Sequence, residues 1–244
     1  YQMFMTHTPN GTIIDNLNRV GEKVNKHVCY SGEVVFFYTH TGTHIDSFSH
    51  FGVNGMTYNN AAVDENLGSR HWYKNGAEQI PPIIARGVLL DIAGLHEVEC
   101  LPDSYGITQA DCERALEKQE VTLGEGDIAL IRTGRMKYWP DGAQVMGNPP
   151  GMSLEASRWI TSLGIIAIGA DQECVECGPS EHEDNWLPGH CHFLAEAGCV
   201  MMELLDLESL ARDKVYELCF IGAPIRFRGA TGAPLRPIAM PLRR

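Results

Sequence analysis

Residues 40–50 read HTGTHIDSFSH, and few backbones can carry that string. Thr41, Thr43 and Ile45 are β-branched and Gly42 is a poor helix former, so a helix is disfavoured. A helix would also swing Asp46 roughly 200° round from His44. An extended backbone instead points His40, Gly42, His44, Asp46 and His50, all at even positions, to one face. A straight strand fails on length. At about 3.3 Å per residue His40 and His44 stand roughly 13 Å apart, too far to share an ion whose ligand bonds are about 2 Å. The chain must bend between them, and Gly42 is the residue that tolerates a bulge or a positive φ. The stretch therefore predicts a strand that enters at Glu33, kinks at Gly42 and folds two imidazoles and a carboxylate around one point. Such a set suits Zn, Mn or Fe and leaves coordination positions open for water.

Other segments supply neighbours for this strand. Residues 33–39, 87–92, 127–132, 164–169 and 216–221 are rich in β-branched and aliphatic side chains and read as strands. Thr108 with Asp111 forms a capping-box pattern that opens a helix to about residue 119, and Ser153 caps another that Gly164 stops. A third helix is expected over 190–197, ended by Gly198. Strands interleaved with a few helices predict an α/β fold: one compact domain over residues 1–244 with a mixed, partly antiparallel sheet.

Charge narrows the partners. Asp and Glu number 31 against 19 Lys and Arg, a net charge of -12, and no basic stripe offsets it. Phosphate backbones and anionic membrane surfaces are disfavoured, so no nucleic acid and no membrane is expected as a partner. No run of 18 apolar residues occurs. The eight cysteines are scattered, several inside apolar runs, which points to reduced buried thiols and a cytoplasmic setting.

His40-x-Gly42-Thr43-His44-x-Asp46-x-x-x-His50 resembles the HxGTHxDxPxH signature of the cyclase family of metal-dependent hydrolases, which includes kynurenine formamidases and isatin hydrolases. A second likeness lies further on: a histidine, 190 or 192, upstream of Glu203, then residues 204–207, 223–226 and 229–239. Phe48 stands where the signature has proline, which alters the loop and pocket wall without touching a ligand. The resemblance implies a swivelling β/β/α fold and hydrolysis of an amide or lactam C–N bond. The implied substrate is a small aromatic molecule of the isatin or N-formylkynurenine kind. By position, His40, His44 and Asp46 hold a Mn or Zn ion, with one or two ions per chain. His50 handles a proton or ligates a second ion. Glu203 and His190, with His192 as the alternative, complete the other half of the site as catalytic carboxylate and ligand or ligand support. The resemblance also implies a homodimer or higher homo-oligomer with the cleft near the subunit boundary. Relatives carry more residues before the motif, so further residues are expected ahead of Tyr1.

On this third helix His190 and His192 point about 200° apart, so only one of them faces Glu203. Glu203 follows a buried apolar run, where a carboxylate is costly unless paired or metal-bound. Phe48, Trp72 and Trp186 are candidate walls for an aromatic substrate. Phe36 and Phe37 share that chemistry, though aromatics in strands are more often core. Cys174 and Cys177 have CxxC spacing but lack a second pair, and a structural role is expected. Asp171 either orients a ligand histidine or caps a turn. Residues 181–184 read as a solvated loop, His7, His27, His71 and His96 as structural, and residues 229–232 lack the Lys of a phosphate loop. Two functional classes follow: a metal-dependent amidohydrolase, with a lactone or ester hydrolase as its variant, and a metal-binding relative without catalysis. His50 favours the enzyme, because a metal store needs no proton-handling histidine beyond its ligands.

Overall fold

The computed structural model describes residues 1–8, 11–12, 31–180 and 182–242, which fall in two units, Tyr1–Thr41 and Gly42–Arg244. In the first, β1 (Gln2–Thr8) pairs antiparallel with β2 (Gly11–Thr12) and β3 (Gly32–Phe36). The strand expected over 33–39 stops at Phe36. Beyond it the Thr41 N–H and hydroxyl both donate to the Tyr38 carbonyl and close a turn. A single strand kinked at Gly42 is therefore not what forms: β3 ends, the chain turns, and a separate strand begins at His44. Gly42 does hold the left-handed conformation expected of it, at φ +65. Phe36 is largely exposed and not a core residue. His27 and Cys29, and the side chain of His7, lie outside the described residues.

The second unit contains an eight-stranded mixed sheet. Its strands are β4 (His44–Asp46), β5 (Ile83–Asp91), β6 (Ile128–Arg132), β7 (Ala167–Ala170), β8 (Val200–Glu203), β9 (Glu217–Gly222), β10 (Gly232–Pro234) and β11 (Ile238–Pro241). They lie in the order β10-β4-β8-β7-β6-β5-β9-β11. The central neighbours β5, β6, β7 and β8 run parallel, and both flanks are antiparallel. Strands buried on both faces need continuous apolar runs, and β6 and β7 are buried at every position. β7 starts at 167 rather than 164 because Gly164, at φ +84, closes the preceding helix by donating to the Thr161 carbonyl.

Alternation along the strands divides the core in two. Val88, Ile131, Ile168 and Met201 face one side with helices α1 (Gln109–Gln119) and α2 (Leu154–Ser162); Leu89, Leu130, Met202 and Ile45 face the other. The Thr108–Asp111 capping box forms in full, and Ser153 accepts from the Ala156 N–H. Helix α3 (Pro188–His190) continues into a π-helical stretch, Cys191–Ala197, and Gly198 at φ +66 turns the chain into β8. A Cβ at Gly198 would strike the Tyr58 ring. Among the described residues, no helix is long and apolar enough to cross a membrane.

Candidate metal centre

Strand register builds the centre. β4 lies between β8 and β10, with His44 opposite Glu203 on one side and Pro234 on the other. Asp46, two residues along, shares the face of His44. The His44 Nε2 is 3.2 Å from Glu203 Oε2 and 3.4 Å from Asp46 Oδ1. Helix α3 adds His190, whose Nε2 is 3.2 Å from Glu203 Oε1 and 3.8 Å from Asp46 Oδ2. Two imidazole nitrogens thus flank the same pair of carboxylates, and none of the four residues is more than 5 % exposed.

Each imidazole is held from behind. The Nδ1 of His44 is 2.7 Å from the Gly42 carbonyl, which can only accept, so Nδ1 carries the proton and the lone pair of the neutral ring lies on Nε2. The Nδ1 of His190 is 2.6 Å from Glu176 Oε1. Burial alone would lower both histidines. Asp46 and Glu203 outweigh it at His44, and Glu176 with Glu203 outweigh it at His190, raising each to about 10. Buried carboxylates therefore draw protons onto both rings when nothing else balances them. A divalent cation is the other way to balance the same charge, and the mixed nitrogen–oxygen set suits Zn or Mn. Donor atoms of His44, Asp46 and Glu203 lie within 4.8 Å of one another, close enough to share one ion.

The remaining expected residues are placed as follows. His40 belongs to the first unit, half-buried, with its ring 4.9 Å from that of Tyr38. His50 follows β4 in a turn closed by its own N–H to the Ser47 carbonyl; its half-buried ring is 4.9 Å from Phe51 and 6.1 Å from His190. His192 points elsewhere, bonded to Thr161 and Glu196, so His190 is the one that meets Glu203. Trp186 is exposed beside Phe51, which in turn stacks 4.7 Å from His190. Phe48 instead packs on Tyr58 and lines an apolar cavity of about 480 Å³ with Ile80, Ile83 and Val200, whose walls include none of the four central residues. Trp72 is half-buried, and its backbone N–H donates to the Gly229 carbonyl.

Asp171 caps a turn and does not orient a histidine. It is fully buried and accepts from the N–H and hydroxyl of Thr133 and the N–H of Gly134. Cys174 and Cys177 are not in disulfides, nor is any of the seven described cysteines. Burial, then Glu203, Glu173, Glu176 and Asp46, push the Cys174 thiol upward, so it does not ionise near neutral pH. His96 bonds Asp111 and Tyr105 at the start of α1, a structural role. Glu181 lies outside the described residues; His182 and Asn185 bridge in the rest of that loop. Sequence reasoning missed Glu176 and Phe51. Glu176 stands between the two cysteines, where thiol spacing is the louder signal, and Phe51 sits one residue beyond the motif.

Comparison with known proteins adds a family context. Residues 3–176, more than half of the chain and drawn from both units, match the family model described as "Putative cyclase". Isatin hydrolase from Roseibium aggregatum is 22% identical over 211 residues, covering 82% of this chain and 71% of that protein. A crystal structure described as a novel cyclase superposes with a TM-score of 0.82 at 27% identity, over 98% of this chain and 79% of its own. An isatin hydrolase bound to the product analogue thioisatinate gives a TM-score of 0.66 at 18% identity, over 98% and 81% of the two chains.

Proposed function

The chain belongs to the cyclase family, and from that premise we propose that it is a metal-dependent hydrolase cleaving an amide or lactam C–N bond of a small aromatic substrate. The observation that carries this reading is the convergence of His44, Asp46, His190 and Glu203 in a buried place, with both imidazoles tied at Nδ1. These four would hold the ion; His40 joins the proposal by its place in the sequence motif. A divalent cation held there, Mn or Zn, would make water a nucleophile near neutral pH and would itself act as the Lewis acid toward a carbonyl. Asp46 and Glu203 balance its charge, and the buried walls keep bulk water from weakening that attraction.

His50 is proposed as the proton-handling group. Half-buried beside Phe51 and His190, it can reach a substrate without being part of the four-residue cluster. A departing amine is a poor leaving group, and an imidazole that protonates the nitrogen removes that obstacle. Phe51 and the exposed Trp186 offer ring faces to a planar substrate at the same end of the site. Likeness to isatin hydrolase, at 22% identity, supports a cyclic amide of that class.

Metal analysis of the purified protein, followed by assays with isatin, N-formylkynurenine and an aromatic lactone, tests the reading. Metal-dependent turnover of either nitrogen substrate is the expected result. Turnover of the lactone alone would move the reaction to esters, and protein that neither retains a divalent metal nor turns over any of the three would overturn the proposal.

A further inference from the structure

We propose that Glu176 is a positioning residue for His190, so that metal affinity depends on a carboxylate that touches no metal. The inference rests on the metal-centre reading above and deepens it. Glu176 is 3 % exposed, and both carboxylate oxygens are committed. Oε1 accepts from the His190 backbone N–H at 2.7 Å and sits 2.6 Å from the ring Nδ1; Oε2 accepts from the Gly189 N–H at 2.7 Å. One carboxylate thus fixes both the start of α3 and the rotation of the ring it carries. With Nδ1 directed at Glu176, Nε2 is left facing Asp46 and Glu203. A carboxylate behind a ligand histidine also makes the ring a stronger donor.

The surroundings leave the loop no alternative. A Cβ at Gly189 would lie 2.8 Å from the Glu176 Cδ and 2.9 Å from Oε2, so only glycine lets the carboxylate approach. Val175, a β-branched residue, takes a φ of +57, a strained left-handed conformation for such a side chain. Hydrogen bonds from several directions hold that strain: Met152 N–H to the Val175 carbonyl, Cys177 N–H to the Met152 carbonyl, and the Gln172 amide to the Glu176 carbonyl. A loop needed only to cap a helix could do so without a strained valine next to the capping residue.

The test uses the metal-free full chain titrated with cobalt(II), followed by visible absorption. Glu176→Gln keeps the shape of the side chain and an acceptor for one of the two backbone N–H groups, but no longer fixes the proton on Nδ1. It should lower cobalt affinity about 10–100-fold and shift the ligand-field bands, with the circular dichroism unchanged. Gln172→Ala loosens the same loop without touching the carboxylate and should bind cobalt as the wild type does. Long-range ¹⁵N–¹H correlation on the zinc-loaded wild type needs no variant and should show His190 protonated at Nδ1. Wild-type affinity and spectrum in Glu176→Gln, equal weakening by Gln172→Ala, or a proton on Nε2 would each overturn the assignment. A wild-type chain that binds no cobalt fails at an earlier point, sinking the metal-centre reading and this inference with it.

Discussion

His50 is the residue whose role metal content and turnover separate most cleanly. Replacement by alanine should cut turnover by about 10²–10⁴-fold while bound metal stays at the wild-type level. Lost metal would make it a ligand, and an unchanged rate would remove it from the chemistry. Glu203→Gln should behave differently, losing metal and turnover together with the fold intact; a fully active, merely less stable variant would argue against the site. Protons and metal compete for His44 and His190. Both rings sit at about 10 in the metal-free fold against an ordinary 6.5, so their stabilising contribution is fully present below about 6.5 and is lost as pH rises through about 10. A cation must displace those protons, so its affinity should climb with pH across that window. Isothermal titration at several pH values reads the slope, and a flat profile would contradict the assigned protonation. At this scale much was legible. The spacing of His44 and Asp46 and the cost of a buried Glu203 are visible in one dimension. Glu176 was not, because its meaning depends on a contact across 14 residues with His190.

Among elements, the turn at Gly198 joins the helix carrying His190 to the strand carrying Glu203. Gly198→Ala meets two penalties, a left-handed φ of +66 and the Tyr58 ring. We expect a loss of about 1–3 kcal/mol from the backbone alone, read as a shifted urea midpoint, with metal affinity falling as well. A variant as stable as wild type would mean that the turn relaxes freely. Helix ends were the easiest elements to read in advance, since Thr108, Asp111, Ser153 and Gly198 each declare a local hydrogen-bonding or conformational need. The break between β3 and β4 was not, because a glycine that permits a kink looks the same in sequence as one that follows a turn. Nor does local sequence disclose that β4 takes β8 and β10 as partners. That pairing spans more than 150 residues and is settled by which apolar faces can be buried together.

For the whole molecule we expect self-association, as the sequence resemblance implies. Sedimentation at micromolar concentration should give at least twice the 27.0 kDa chain mass, and a monomer would refute it. The placement of β4 has a further consequence for the order in which the protein is made. Its neighbours β8 and β10 come from residues 200–203 and 232–234, near the end of the described chain. While synthesis proceeds, the histidine-rich motif leaves the ribosome early and waits without either strand it will pair with. A nascent chain halted before residue 200 carries the motif but lacks Glu203 and both strands that β4 pairs with, so the four-residue cluster can assemble only after that point has been made.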